Sequence, residues 1–409
     1  MHPRLPRHAR PADRARAFLG GTHRDLSAAD SARIVHPSPP GELARSLRRG
    51  RALACEAAFF AHPLGMFRQI SAIVGGALGV AAGARMVARR RRRIAMEGRV
   101  VVVTGGSRGF GYAIAREFLR HGCKLAICSR DGEAVARAVA ELRLRGAEVF
   151  GMACDASDPV QVEAFIKGVL DTFGAINVLV NNAGQMFFGP VAELHPDDLE
   201  AALRNIFWVH YRPTTAVLPH MRARGFGRIV NITSVAGKIP IPHHAAYVVG
   251  KYAATGWSEV LTVELRKDGI LVSTITPPPL ANGAPLYTHF NGREEEEFKW
   301  FARGLTSRWS ASSTDRAARI VVDAAIHGDR QRAISMGGWL ATRAQGAAPG
   351  LMTRIWAGFD RVLPPPGPPG HTTKMRVGAE VVAGSADAEV QARGETARRD
   401  ARRYRPPDS

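Results

Sequence analysis

Val100-Val101-Val102-Val103-Thr104-Gly105-Gly106-Ser107-Arg108-Gly109-Phe110-Gly111 is the stretch whose reading decides the fold. Four consecutive valines favour extended backbone, and the lack of apolar–polar alternation predicts a strand buried on both faces. Gly105 and Gly106 break that strand. Beyond them Ile114, Ala115, Phe118 and Leu119 recur at helical spacing. A glycine-rich strand-to-helix turn gathers free backbone N–H groups and the positive end of a helix at one point, which suits a pyrophosphate. Gly109 and Gly111 allow phosphate to approach the backbone and the helix to pack close to the strand. The spacing is Thr-Gly-x-x-x-Gly-x-Gly, which taken alone also fits an ordinary tight turn. Its meaning depends on what surrounds it.

Downstream, strand and helix alternate. Strands are predicted at 124–129, 148–154, 177–181, 228–233 and 270–275, with helices over 132–145, 159–173, 196–224 and 246–267. A helix over 314–327 and a short strand over 332–335 close the domain. Such alternation predicts an α/β fold of Rossmann type, a doubly wound parallel sheet covered by helices on both faces. One catalytic domain over 97–335 accounts for it.

The flanks differ in composition. The chain has 409 residues and a formal charge of +20, from 56 Lys+Arg against 36 Asp+Glu. That excess sits in the Arg-rich first 99 residues and last fifteen, not in the middle. Nucleic-acid binding is not expected, because the basic tails lack interleaved aromatics. Residues 1–65 read as a disordered Arg/Pro-rich extension, and Met66 is an expected alternative start of translation. Residues 66–96 hold an uncharged run, 69–84, followed by the Arg89–Arg93 block. The run is short of the roughly 20 residues that span a bilayer. A membrane anchor with the arginines on the cytoplasmic side of the inner membrane is the favoured reading. An amphipathic or core-packing helix in a cytoplasmic protein is the first alternative, and a cleaved signal peptide, with Ala82-Gly83-Ala84 imitating a cleavage site, is the least favoured. Residues 336–363 read as an amphipathic segment and 364–409 as a disordered tail. Cys55, Cys123, Cys128 and Cys154 show no Cys-x-x-Cys spacing and read as inert reduced thiols.

Further signals fall at the ends of successive strands, where an open α/β sheet places its ligands. Asn181-Asn182-Ala183-Gly184 ends one strand and Ser234 follows the next. Tyr247 and Lys251 then stand four apart on one helix face. Together with the Thr104–Gly111 turn, their order and intervals resemble the short-chain dehydrogenase/reductases over about residues 97–335.

The resemblance implies hydride transfer between a nicotinamide cofactor and a carbonyl or alcohol. Tyr247 would be the acid/base, Ser234 would orient the substrate oxygen, and Lys251 would hold the nicotinamide ribose. A tyrosine at its ordinary pKa of ~10 is a poor acid–base group at neutral pH, and a nearby ammonium lowers it. Asn205 matches an asparagine that supports a water-mediated proton relay. Cofactor contacts are expected from Thr104, Gly105, Ser107, Arg108, Gly109, Phe110, Gly111, Asp155, Asn182, Ala183, Gly184, Tyr247, Lys251 and Pro277. Where relatives that prefer NAD carry an acidic residue, this chain has Ser129 followed by Arg130. With Arg108 in the turn, this predicts NADP(H), whose 2′-phosphate suits guanidinium groups.

One departure stands out. Pro277-Pro278-Pro279 replaces a Pro-Gly, and proline lacks the N–H that would meet the carboxamide. An enzyme weakened into an NADP(H)-binding sensor is therefore the alternative function. The aromatic-rich stretch 284–309 occupies the position of a lid, and predicts a lipophilic substrate. His243 and His244, without a third ligand, predict no metal site. A homodimer or homotetramer is expected through the helices at 196–224 and 246–267.

Overall fold

In the computed structural model, which describes residues 79–80, 82–306, 312–367 and 375–406, β1 (Val100–Thr104) is buried at every position, as its unbroken valine run predicts. The glycine turn leads into α1 (Gly109–Leu119). There follow β2 (Lys124–Ser129), α2 (Gly132–Leu144), β3 (Val149–Ala153), α3 (Pro159–Phe173) and β4 (Val178–Asn181). Asp131 and Asp158 accept from first-turn amides and so start α2 and α3. Gly174 ends α3 in left-handed backbone.

A short β5 (Met186–Phe188) precedes α4 (Pro196–Leu203), a π turn over Arg204–Trp208, and α5 (Val209–Ala223). The remainder of the domain is β6 (Gly227–Ile232), α6 (Ala245–Glu264), β7 (Ile270–Thr276), β8 (Thr288–Phe290), α7 (Glu294–Thr306), α8 (Thr314–His327) and β9 (Gln331–Ala333).

Seven strands form one sheet in the order β3-β2-β1-β4-β6-β7-β9, each pair parallel. On one face Ile114, Phe118, Val135, Leu142 and Val321 bring α1, α2 and α8 against the sheet. On the other, Phe165, Val217, Met221 and Leu261 do the same for α3, α5 and α6. The chain reverses its winding between β1 and β4, and the glycine turn lies at that switch point.

Three features depart from the sequence-based expectations. The helix expected over 196–224 is interrupted by the π turn that contains Asn205. The Arg89–Arg93 block folds back onto the domain: Arg89 pairs with Asp329 at 2.9 Å and with Asp323, and Arg92 donates to the His327 carbonyl. No helix among the described residues is long and apolar enough to cross a membrane, and most of the anchor-like run, 69–78, lies outside those residues.

The third concerns the C-terminal end. Beyond β9 lie α9 (Met336–Ala347) and α10 (Pro349–Asp360), which leave Met336, Leu340, Leu351 and Ile355 exposed. The expected lack of structure from 364 onward does not hold for the stretch that forms β10 (Arg376–Val377), α11 (Gly378–Gly384) and α12 (Ala388–Arg403). β10 pairs with β8, which pairs with β5, giving a second, three-stranded sheet. The Arg, Ala and Glu content of α12 masks a narrow apolar stripe, Val390, Gly394 and Ala397. That stripe closes over Val381, Val382, Phe290 and Phe298. Lys299 on α7 adds an ion pair to Asp387, the N-cap of α12, at 2.9 Å.

Candidate active site

The C-terminal ends of β1, β4, β6 and β7 open on a cavity of about 670 Å³. At one end it is lined by the glycine turn, Gly105, Ser107, Arg108, Gly109, Phe110 and Gly111. A Cβ on Gly111 would stand 2.1 Å from the Gly105 carbonyl oxygen and 2.5 Å from the Asn182 side-chain nitrogen. Only glycine fits there, and the resulting cradle is of the kind a pyrophosphate needs. Thr104 does not line the cavity. Its hydroxyl oxygen accepts from the backbone N–H groups of Asn182 (3.0 Å) and Ala183 (3.1 Å), tying the turn to the Asn-Asn-Ala-Gly segment. Asn182, Ala183 and Gly184 themselves line the cavity. The Gly109 N–H is taken by the Tyr404 carbonyl at 2.7 Å, so the C-terminal segment holds the turn as well.

Ser129, Arg130 and Asp155 line the same cavity. The Ser107 hydroxyl donates to Ser129 at 2.8 Å, fixing the turn against the end of β2. Arg108 lies 4.4 Å over the Tyr287 ring, while Arg130 donates to Asn205 Oδ1 at 3.2 Å. Asp155 is steadied by Ser157, whose hydroxyl and N–H both reach its Oδ1. These groups offer guanidinium donors, and neither Ser129 nor Arg130 at the end of β2 is acidic; Asp131, next in line, also borders the cavity, with its carboxylate accepting from the Ala134 N–H to cap α2.

Ser234, Tyr247 and Lys251 meet at the other end, only 8%, 8% and 5% exposed. β6 and the turn after it place Ser234, whose hydroxyl oxygen caps that turn by accepting from the Ala236 N–H. α6 presents Tyr247 and Lys251 on one face. The Lys251 ammonium donates to the Ile232 carbonyl at 3.0 Å and lies 5.8 Å from the centre of the Tyr247 ring. Asn205 faces the cavity from the π turn, with its amide donating to Ala201 O at 2.8 Å. Pro277, Pro278 and Pro279 also line the cavity.

Electrostatics here differ from expectation in one respect. Burial pushes the Tyr247 phenol up to about 12, with Ser234 pulling modestly the other way. Burial also brings Lys251 down to about 7. The neighbouring ammonium does not bring the phenol down as expected; burial, which strips both groups of water, sets the direction of each. At neutral pH Tyr247 is a proton-bearing phenol.

A pH dependence of stability follows from two neighbouring histidines. His210 is fully buried, with Nδ1 2.7 Å from the Ile206 carbonyl and Nε2 3.1 Å from the Ile232 carbonyl. Burial, and secondarily the Lys251 charge, lower its pKa from 6.5 to about 3. Burial likewise lowers His244 to about 4. Above pH 6.5 both rings are neutral in the folded and unfolded chains. As pH falls from 6.5 toward those folded values, the unfolded chain takes up protons that the folded one refuses, so stability falls. Lys251 does not offset this, since below about 7 it is charged in both states. For His210 the loss is on the order of 5 kcal/mol once pH lies below the folded value. Calorimetric unfolding should show a steep loss of Tm on acidification from neutral pH, and His210→Asn should flatten it. An unchanged acid limb in that variant would refute the assignment.

The short chain dehydrogenase family profile matches residues 99–285. A Streptomyces coelicolor protein carrying the name ketoacyl reductase is 37% identical over 184 residues, covering 44% of this chain and 69% of the relative. This chain is a short-chain dehydrogenase/reductase. Like the relative from Streptomyces violaceoruber, that protein is matched over about two thirds of its length. Two solved structures are also similar. An actinorhodin polyketide ketoreductase with NADPH is 28% identical, with a TM-score of 0.52 over 59% of this chain and 97% of that one. A short chain dehydrogenase/reductase from Burkholderia phymatum in complex with NAD shares the fold, at 24% identity and a TM-score of 0.58 over 63% of this chain and 96% of that one.

Several supports of the site in this short-chain dehydrogenase/reductase have no sequence signature. A buried polar ladder runs beneath it: Asn181 donates to Thr214 and Asn231 (both 2.8 Å), Asn231 to Ser258 (2.9 Å), and Ser258 meets Thr274 at 2.7 Å. It ties β4, β6 and β7 to α5 and α6 beneath the cavity. α7 places Phe301 and Leu305 on the cavity wall; of the stretch 284–309 read as a lid, 307–309 lie outside the described residues. The acidic run 294–297 is only partly a solvated face, for Glu297 is wholly buried against His243 at 2.8 Å.

Proposed function

We propose that this reductase transfers a hydride between NADP(H) and the carbonyl carbon of an apolar ketone or its alcohol. The observation that carries this reading is that Ser234, Tyr247 and Lys251 share one cavity with the glycine turn. When bound, the dinucleotide would supply the hydride. The glycine turn and Asn182–Gly184 would hold its phosphates and ribose, and Lys251 the second ribose. Ser234 and Tyr247 would both reach the substrate oxygen. In the reducing direction the phenol gives its proton to that oxygen, and Lys251, with Asn205, replaces it. Met186, Ile241, Phe301 and Leu305 on the wall support a lipophilic substrate.

The preference for NADP(H) rests on Arg108, Arg130 and the absence of a carboxylate at positions 129 and 130. Arg108→Ala should raise KM for NADPH about tenfold more than KM for NADH. Equal effects on the two cofactors, or a native preference for NADH, would refute it.

The triple proline favours a second reading, a sensor that binds NADP(H) without turnover. Tight NADPH binding with no consumption across a broad ketone panel would support that reading. For self-association, the π turn leaves Trp208 exposed and α6 leaves Tyr252, Val260 and Val263 exposed, whereas Ile206 and Leu261 belong to the core. This exposed face supports a homo-oligomer.

A further inference from the structure

His243 is the sole non-glycine residue with positive φ (58°) among the described residues. Two contacts hold it there. Its carbonyl accepts from the Gly189 N–H at 2.7 Å, and its Nδ1 lies 2.8 Å from Glu297 Oε1. Glu297 is inaccessible to solvent and its other oxygen has no partner among the described residues, so the pairing with His243 is what keeps the carboxylate inside. A strained backbone fixed from two sides sets the direction of the next residue.

That residue, His244, lines the cavity. Its ring meets Phe188 edge-on at 4.4 Å and 88°, and lies 6.1 Å from the rings of both Tyr247 and Phe301. Nδ1 is 3.1 Å from the Pro242 carbonyl. A carbonyl oxygen can only accept, so Nδ1 bears the hydrogen. Burial keeps the ring neutral at physiological pH. Nε2 is therefore a lone-pair acceptor, and it has no protein partner among the described residues. His244 shares the cavity with the apolar side chains of Met186, Ile241, Phe301 and Leu305. Ser234 and Tyr247 are occupied with the reacting oxygen, so His244 is free to recognise another group.

We propose that His244 is a specificity-determining residue whose Nε2 accepts a hydrogen bond from a hydroxyl or N–H carried close to the reacting carbon of the substrate. This rests on the assignment of Tyr247 as the acid/base. A plain ketone would leave Nε2 unpaired, and a site built around a donor discriminates against an analogue that lacks one.

The test compares benzoin, deoxybenzoin and benzoin methyl ether with NADPH as reductant. These share an apolar body and differ in having a hydroxyl, nothing, or an acceptor alone beside the carbonyl. The native protein should favour benzoin over both analogues in kcat/KM. In His244→Phe the ratio of benzoin to deoxybenzoin should fall about tenfold, and His244→Gln, which keeps an acceptor, should recover part of it. An unchanged ratio in His244→Phe overturns the proposal. Failure of the underlying assignment shows differently, as no NADPH consumption with any of the three ketones. Calorimetric affinities in the presence of NADP⁺ then decide: benzoin binding tighter than deoxybenzoin only while His244 is present supports it, and equal binding overturns it.

Discussion

Tyr247→Phe is expected to lower kcat for ketone reduction about a thousandfold while NADPH binds nearly as before. The substitution removes one oxygen and leaves the ring, so the packing of Ile206, Ala236 and Ala246 around it is retained. What disappears is the proton that must reach the substrate oxygen as the hydride reaches carbon. The direction of the phenol's shift sharpens the prediction. With its pKa pushed up to about 12, Tyr247 stays protonated throughout the neutral range. Reduction should therefore show no Tyr247-linked loss as pH rises to about 10. Alcohol oxidation requires the phenolate, so its rate should climb with pH over the same range. A variant that keeps native kcat would remove Tyr247 from the mechanism, whatever the cavity holds.

The second large effect is expected at Gly111. An alanine there places its Cβ 2.1 Å from the Gly105 oxygen, a distance no relaxation of a flexible side chain can relieve, because the obstacle is backbone. The turn must open, and with it the link from Thr104 to Asn182 and Ala183. NADPH affinity should fall at least a hundredfold, with a marked loss of Tm. Gly109→Ala is the control for the steric clash within the protein, since Gly109 borders the same cavity and its Cβ would meet only the cofactor. Gly109 has φ +59° but nothing within 4 Å of an added Cβ, so alanine adds strain without a clash. That costs about 1–2 kcal/mol. Calorimetric Tm and NADPH titration of both variants distinguish the two positions. Equal, mild effects would mean that the turn is not the tight cradle described here.

How much of this is legible in the sequence depends on whether the cause is local. The valine run and the spacing of Tyr247 and Lys251 are local, and the sheet order and shared cavity agree with them. The π turn around Asn205 is not legible, because Leu203-Arg204-Asn205-Ile206 reads as ordinary helix. The ladder from Asn181 to Thr274 joins polar residues almost a hundred positions apart, each unremarkable alone. His243 and Glu297 look like a loop histidine and one member of an acidic surface run. Only the approach of α7 shows that they are a buried pair. The α12 helix is hidden by its charge, since a stripe of Val390, Gly394 and Ala397 is too narrow to raise its hydropathy. The direction of the Tyr247 shift also follows from burial, which a sequence motif does not carry. Lys251 is visible as a neighbour, but the removal of water from both groups decides the balance.

The central claim is that hydride moves between a bound nicotinamide and a carbonyl carbon at the Tyr247 end of the cavity. The most direct measurement is a single-turnover reaction with NADPH deuterated at the transferable position and benzoin as acceptor, followed by mass spectrometry of the product. The account predicts one deuterium on the new carbinol carbon for each NADPH consumed, and none in Tyr247→Phe on the same timescale. Tight NADPH binding with no deuterated alcohol, from benzoin or from any ketone in a broad panel, would contradict it.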